Sequence, residues 1–220
     1  MHFNISGPFW QFLNTCVRFF ILNILFVLTI IPIITIGPAR TALYSTVFAY
    51  TEDDSIDLGR QYLRRFKREF IPSIGSWLIF LALAATILFA TVFWASTDSR
   101  IVYVVMPVLI LAGVITVLTY EYFFPLQARY RNGFGATWKN SFMLPWHAFG
   151  KTLLLLAIDT AAIALFVFTA YLRVAFVLLG FSWLAYAKSL IFLRIFSQAS
   201  NRSGREQDKP DYSMPTASLE

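Results

Sequence analysis

The stretch that decides the fold is TIIPIITIGPARTALY, residues 29–44. It ends a long apolar run, contains Pro32 and the pair Gly37-Pro38, and then carries Arg40 into a second helical segment. Proline removes a backbone donor and glycine commonly follows a helix end, so we expect Pro32 to kink the first helix and Gly37-Pro38 to end it. Pro38 suits the first turn of a short helix over residues 39–50. The stretch therefore predicts a membrane span that turns into an interfacial segment.

The composition of the 220-residue chain is that of a membrane protein. Hydrophobic residues make up 58% of it and charged residues 14%, whereas soluble domains carry about 25% charged residues. A helix of about 20 apolar residues crosses the hydrocarbon core of a bilayer. We predict an all-α integral membrane protein with cytoplasmic interfacial amphipathic helices and five transmembrane helices, at residues 16–36, 73–95, 101–124, 149–170 and 174–193.

The chain divides into three parts on this interpretation. Residues 1–15 hold Trp10 and polar side chains without lysine, arginine or acid, which indicates an outer interfacial segment. Residues 16–196 form a single membrane domain. Residues 197–220 lose the apolar periodicity and are predicted to be a disordered cytoplasmic tail.

Basic residues predict the orientation of the spans. Of the 18 lysines and arginines, all except Arg18, Arg100 and Arg173 fall on one side of the five-span arrangement. Lysine and arginine accumulate in cytoplasmic loops, so that side is predicted to face the cytoplasm, with the N-terminus outside and the C-terminus inside. The net charge of +6 is explained by these loops, and no nucleic-acid partner is predicted.

A basic helix is predicted over residues 58–70, after an acidic turn at residues 52–54. Its cationic face, which opposes a face of Leu, Tyr and Phe, includes Arg64, Arg65, Lys67 and Arg68. Such a helix fits the headgroups of anionic lipids. Packing against the cytoplasmic ends of the spans fits the pattern equally well.

Arg40 and Thr41 are candidates for anion binding. They follow the Gly37-Pro38 pair at a predicted helix N-terminus, where free backbone donors and a guanidinium can hold a phosphate or carboxylate. A lipid phosphate is the simplest occupant of such a site. The alternative is a kinked segment with a cationic anchor among the headgroups.

Asp159 is the candidate polar site within the membrane, because it lies near the middle of the fourth predicted span. A carboxylate there costs at least about 2.5 kcal/mol and needs a partner, for which Lys188 and Asn23 are candidates. An ion- or substrate-coupling site and a structural interhelical pair both fit, and Lys188 could instead extend to the cytoplasmic face. Glu121, near a membrane edge, is expected to pair with a basic loop residue.

Enzymatic chemistry finds little support in the sequence. His2 and His147 are the two histidines, and Cys16 is the single cysteine. No His, Cys and carboxylate residues have metal-ligand spacing, and no glycine-rich phosphate loop is present. We predict no catalytic residue, no metal and no cofactor.

Most of residues 15–195 resembles a known family, and the specific motifs lie in the part up to Phe70. The motifs are residues 23–25 (Asn-Ile-Leu), Pro32, residues 35–44, the acidic turn and the aromatic series Tyr62, Phe66 and Phe70. Together they are similar to the YesL-like family of bacterial membrane proteins, whose function is unknown. The resemblance implies a protein of the bacterial plasma (inner) membrane. It also implies a connection to carbohydrate transport, because members of the family are often associated with genes for sugar uptake and polysaccharide degradation. It transfers no catalytic residue.

Two functions are consistent with these observations. The first is a non-catalytic protein that is accessory or regulatory to carbohydrate uptake, with a carbohydrate transporter subunit as its partner. The alternative is a small secondary transporter or channel that uses Asp159 at mid-membrane. They differ in whether the protein itself moves a solute.

Overall fold

The computed structural model describes residues 8–130 and 132–203. The described residues form eight α-helices: α1 (Pro8–Ile30), α2 (Ile36–Glu52), α3 (Leu58–Ala95), α4 (Val102–Arg129), α5 (Phe134–His147), α6 (Phe149–Phe168), α7 (Ala170–Ala175) and α8 (Phe181–Ser203). A 3₁₀ turn (Ile33–Thr35) precedes α2, and a π turn (Phe176–Gly180) joins α7 to α8. Residues 1–7 of the predicted N-terminal segment and residues 204–220 of the predicted tail lie outside the described residues.

Five helical segments are long and apolar enough to cross a membrane: Trp10–Ile30, Leu58–Ala95, Val102–Arg129, Phe149–Phe168 and Arg173–Ala199. This confirms the predicted fold class, an all-α multi-pass membrane protein. Some predicted bounds differ from the structure. The first helix ends at Ile30 and not at residue 36, and α8 continues through Ser203 into the segment predicted to be a tail.

The break after the first span lies at Ile31-Pro32, six residues earlier than predicted. Proline lacks an N–H and disfavours helical backbone in the residue before it, and Pro32 itself is extended, with φ −73° and ψ 117°. The Thr35 hydroxyl lies 2.5 Å from the Thr29 carbonyl oxygen and 2.7 Å from that of Pro32, which satisfies carbonyls that the helix end leaves free. Gly37 and Pro38 belong to the first turn of α2, so the prediction that they end a helix was wrong.

Helix α2 is buried, which corrects the prediction of an interfacial segment. Twelve of its 17 residues are buried, and it packs against α1, α3, α4 and α8. Small side chains allow helices in membranes to approach closely. At Gly37 the approach is closest, because a Cβ atom there would lie 2.5 Å from Trp77 Cβ. The segment that hydropathy treats as a surface helix is the centre of the domain.

Helices α1 and α3 run in the same direction, so α2 returns the chain between them. Residue numbers in the two helices rise together along their contacts, which pair Ile21 with Gly59 and Thr29 with Tyr62. The order continues past the end of α1, where Ile33 of the 3₁₀ turn pairs with Trp77. Helix α8 runs opposite to α1, since Phe26 contacts Phe181 and Phe19 contacts Tyr186. The end of α8 therefore lies on the side where α1 begins.

Arg18 lies at the turn between α2 and α3. Its Nη1 donates to the Asp54 carbonyl oxygen at 2.7 Å, and its Nη2 contacts the Ile56 carbonyl oxygen. In the predicted five-span arrangement, Arg18 and this acidic turn lie on opposite sides of the membrane. Their direct contact contradicts that assignment, and the reason is that α2 was not counted as a segment that carries the chain back.

Helix α3 is one continuous helix of 38 residues, about 57 Å long. It unites the predicted basic helix with the predicted second span, and Pro72 is accommodated within it. Asp57 caps its N-terminus by accepting from the Arg60 amide at 3.1 Å. Beyond Trp77, α3 pairs with the first half of α4 in a hairpin that exposes apolar side chains such as Phe89 and Val108.

A charged network at the candidate functional site

Four charged side chains from four helices form one network within the membrane domain. Arg40 Nη2 on α2 donates to Glu121 Oε2 on α4 at 2.5 Å. Lys188 Nζ on α8 forms an ion pair with Glu121 Oε1 and donates to both oxygens of Asp159 on α6, at 2.7 and 2.8 Å. We call these four residues the charged network. Its two cations and two carboxylates balance.

The charged network is deeply buried at its centre and more open at its ends. The side chains of Lys188 and Glu121 are 3% and 6% exposed, those of Arg40 and Asp159 18% and 27%. Removing one partner from a buried ion pair costs about 3–5 kcal/mol, because it leaves an uncompensated charge. The central pair therefore ties α4 to α8, while Asp159 is the member that surroundings can reach.

Asp159 pairs with Lys188, as the alternative of a structural interhelical pair requires. The predicted roles of Lys188 and Glu121 change. The Lys188 side chain is 3% exposed and points into the network, so it does not extend to the cytoplasmic face. Glu121 pairs with Arg40 and Lys188, and the expected basic loop residue is not its partner. The link was missed because Arg40 and Glu121 lie 81 residues apart in sequence.

Arg40 is engaged inside the protein, which argues against the predicted anion site. Its guanidinium carbon lies 4.4 Å from the centroid of the Tyr120 ring, so a cation–π contact adds to the ion pair with Glu121. Thr41 is fully buried, with its hydroxyl 3.2 Å from the Gly37 carbonyl oxygen and 3.0 Å from Ser73 Oγ. Neither side chain is placed to hold a lipid headgroup.

Asn23 is a structural link between α1 and the π turn before α8. Its Nδ2 donates to the Val177 carbonyl oxygen at 2.6 Å, and its Oδ1 accepts from the Ser182 amide at 2.8 Å. A π turn leaves backbone groups without their usual helical partners, and a side-chain amide satisfies one donor and one acceptor. Asn23 is therefore not the predicted partner of Asp159.

The predicted cationic face of the basic helix is divided by the fold. Lys67 and Arg68 are exposed and Arg64 is partly exposed on α3, and Arg68 also pairs with the adjacent Glu69 at 2.8 Å. Arg65 points inward, where it is 5% exposed and its Nη1 donates to Ser45 Oγ at 2.7 Å. The expectation of a headgroup contact does not hold for Arg65. The 3.6-residue period of an ideal helix put Arg65 on the cationic face next to the apolar face. In the structure the buried face of α3 includes Arg65.

The acidic turn before α3 is held by its own hydrogen bonds. The Ser55 amide and hydroxyl donate to Asp53 Oδ1 at 2.9 and 2.6 Å. These bonds hold the pKa of the Asp53 carboxyl below its usual range. The neighbouring Glu52 forms an ion pair with Arg129 at the end of α4, at 2.7 Å. The turn thus joins the ends of α2, α3 and α4 on the side where Arg18 lies.

The chemistry available to the charged network is limited by its internal pairing. Each carboxylate already faces a cation, and within residues 8–130 and 132–203 no group of three His, Cys, Asp or Glu residues could hold a metal ion. A proton or a small cation could reach the network at Asp159, the more exposed of its two carboxylates. The network is suited first to holding four helices in register.

The comparison with known proteins adds one finding. Residues 19–91 match the family described as "Protein of unknown function, DUF624". The match covers about a third of the chain, from α1 into α3, and contains Arg40 but not Glu121, Asp159 or Lys188. No curated protein and no solved structure matches the chain.

Proposed function

We propose that this chain is a non-catalytic protein of the bacterial plasma membrane that is accessory or regulatory to carbohydrate uptake. The observation that carries the proposal is the internal neutrality of the charged network. A transport site offers its charge to the solute, whereas Lys188 already contacts both oxygens of Asp159. The link to carbohydrate uptake comes from the resemblance of residues 23–70 to the YesL-like family, and the match to a family of unknown function is compatible with it.

Two measurements on the full-length protein test this proposal. Affinity purification of a tagged chain from native membranes, followed by mass spectrometry, is expected to recover a carbohydrate transporter subunit. Reconstituted into vesicles alone, the protein is expected to move neither sugar nor ions. Sugar or ion flux that Asp159→Asn abolishes and Asp98→Asn preserves would overturn it; Asp98 is an exposed acid outside the network.

A second candidate function is a small secondary transporter or channel that uses Asp159. The observation in its favour is the 27% exposure of the Asp159 side chain. This residue lies in the middle of α6, a 20-residue helix that is apolar enough to span a membrane. Carboxylates at that depth often mark ion pathways. The flux measurement with Asp159→Asn decides between the two functions.

The proposal includes an orientation with both termini in the cytoplasm. The contacts of Arg18 with the turn after α2 support it, as do the parallel α1 and α3. With Arg18 on the basic side, Arg100 and Arg173 lie opposite, and Arg40 and Lys188 belong to the charged network and count for neither side. The other 14 basic residues then share one side, which strengthens the bias. The earlier expectation of an outside N-terminus is replaced by this one.

Cysteine labelling tests the orientation. In a Cys16→Ser background, a membrane-impermeant thiol reagent is expected to label Asp98→Cys in intact cells. Gln11→Cys and Asn132→Cys are expected to react after the membrane is permeabilised and not before. Labelling of both Gln11→Cys and Asp98→Cys in intact cells would restore the outside N-terminus. Labelling of Gln11→Cys and Asn132→Cys without Asp98→Cys would reverse the whole arrangement.

Anionic lipids are the remaining proposed partner. Support comes from the exposed part of the α3 cationic face, which holds Arg60, Arg64 and Lys67. Juxtamembrane cations contribute about 1 kcal/mol each near an anionic surface. Replacing the three by glutamine should lower the number of phosphatidylglycerol molecules retained in native mass spectrometry. Unchanged retention would remove this face as a lipid contact.

A further inference from the structure

A cavity of about 340 Å³ lies where the ends of α4, α5 and α8 meet. Known small-molecule sites begin at about 300 Å³. None of the candidate site residues predicted from the sequence lines this cavity. The residues of α5 that line the cavity are Asn140, Met143, Leu144 and His147. They lie on one face of the helix, because positions three and four apart lie on the same side.

The inner wall of the cavity is apolar and well packed. Leu126 on α4 and Ile195 and Phe196 on α8 line it, and each of the three is at most 3% exposed. The Phe196 ring meets the Tyr130 ring edge-on, with centroids 5.7 Å apart. Such a wall is preformed, so a ligand need not order it on binding.

Polar side chains supply hydrogen-bonding groups that the rest of the protein leaves available. The side-chain amides of Asn132 and Asn140 have no hydrogen-bond partner among the described residues. The amide oxygen of Gln198 accepts from Lys151 Nζ at 2.7 Å, which leaves its NH₂ group as a donor. His147 Nδ1 lies 2.9 Å from the Met143 carbonyl oxygen and donates to it, which leaves Nε2 as the ring nitrogen available to a ligand.

The described lining includes hydrogen-bond donors and acceptors but no Lys, Arg, Asp or Glu. The Tyr130 hydroxyl is hydrogen-bonded to Arg129, and burial raises its pKa, so it keeps a proton to donate near neutral pH. Arg129 is already paired with Glu52, and Lys151 is held by Gln198. An anion would therefore meet several acceptors and no cation in the lining itself. A hydrocarbon chain would desolvate the amides without pairing them, at a cost for each group. Hydroxyl groups both donate and accept, and so they match this lining.

We propose that the cavity binds an uncharged ligand that carries several hydroxyl groups on a compact, partly apolar frame, as a monosaccharide ring does. The sugar could be free or the head group of a glycolipid, since the two share this chemistry. The amides, His147 Nε2 and the Tyr130 hydroxyl pair with ligand hydroxyls, and the wall of Phe196 and Ile195 receives the C–H face of the ring. The inference stands independently of the proposed role in uptake.

Saturation-transfer-difference NMR on the full-length protein in nanodiscs tests the proposal in two arms. The first titrates D-glucose into phosphatidylcholine nanodiscs, and the second uses nanodiscs that contain glucosyl diacylglycerol. Transfer to sugar ring protons is expected in at least one arm. Transfer from free glucose assigns the soluble sugar, and transfer in the second arm alone assigns the lipid head group.

Variants of the lining tie the signal to the cavity. Asn140→Leu and Gln198→Leu should each weaken binding about five- to tenfold, the loss of one or two hydrogen bonds. Gln11→Leu is the matched control, since Gln11 is exposed on α1 far along the chain from the cavity, and it should bind as the unaltered protein does. Ala199→Phe fills the cavity and should abolish transfer while circular dichroism shows an unchanged helix content.

Three results would overturn the proposal. They are no transfer in either arm, transfer that a folded Ala199→Phe variant retains, and displacement of the sugar by equimolar inorganic phosphate. If Ala199→Phe fails to fold, Asn140→Leu and Gln198→Leu decide the question. Sugar binding by both that equals binding by the Gln11→Leu control would rule out the cavity as the site. Flux and co-purification do not enter this test, so it fails or succeeds separately from the proposed function.

Discussion

Removing the Lys188 ammonium should destabilise the fold, and removing the Asp159 charge as well should restore part of the loss. In Lys188→Met, Glu121 keeps Arg40, but Asp159 loses the contacts of 2.7 and 2.8 Å to Nζ. An uncompensated buried charge costs about 3–5 kcal/mol. Because the Asp159 side chain is 27% exposed, we expect the lower end of that range, about 3 kcal/mol.

The double variant Lys188→Met with Asp159→Asn leaves the Arg40–Glu121 pair and no other network charge. Replacing an entire buried pair is often close to neutral, so its loss should be about 1 kcal/mol. The loss of unfolding free energy in the double variant should therefore be at least about 2 kcal/mol smaller than the sum of the losses in the two single variants. This difference corresponds to a factor of about 30 in the unfolding equilibrium constant.

The assay is unfolding by SDS in mixed micelles, followed by tryptophan fluorescence and by circular dichroism. Asp98→Asn, an exposed acid outside the network, serves as the control and should change the free energy of unfolding by no more than about 0.5 kcal/mol. Additive losses in the double variant would refute the reasoning, because they would mean that Lys188 and Asp159 contribute independently and that their pairing carries no energy.

The remaining predictions concern helix packing and use the same assay. Gly37→Ala should cost about 1–3 kcal/mol, because its Cβ atom would meet Trp77 Cβ at 2.5 Å; Gly75→Ala, with nothing within 4 Å, should be neutral or slightly stabilising, and equal losses would contradict the close approach of α2 and α3. Arg65→Leu should cost about 1–3 kcal/mol by leaving the Ser45 hydroxyl without its donor. Lys67→Leu, at an exposed position, is its control. A larger loss of stability in Lys67→Leu than in Arg65→Leu would show that the buried face of α3 is assigned incorrectly.

The sequence was a good guide wherever the signal is local. Long apolar runs predicted the spans because hydropathy and helix length are properties of neighbouring residues. The acidic turn before the basic helix was also visible, and Asp57 supplies the cap that α3 needs. Pairing of Asp159 with Lys188 followed from the cost of a lone carboxylate in a membrane.

Local signals failed at α2, and the other errors followed from it. This helix mixes small, polar and apolar residues, and its 17 residues make it shorter than the five helical segments that could cross a membrane. It therefore read as a surface segment, which placed Arg18 opposite the turn that it contacts and left Arg40 facing lipid. The spacing of Asn140, Met143, Leu144 and His147 on α5 was the local signal that could have indicated the cavity.

The sequence by itself determined that this protein is helical and lies in a membrane, and where most of its apolar helices run, since burial in lipid is decided residue by residue along each helix. Tertiary structure alone decided that α2 is the centre of the domain and that Arg40 and Glu121 join the predicted Asp159–Lys188 pair. Arg40 and Glu121 lie 81 residues apart in sequence. Their partnership depends on the order in which four helices pack, and neither hydropathy nor periodicity records that order.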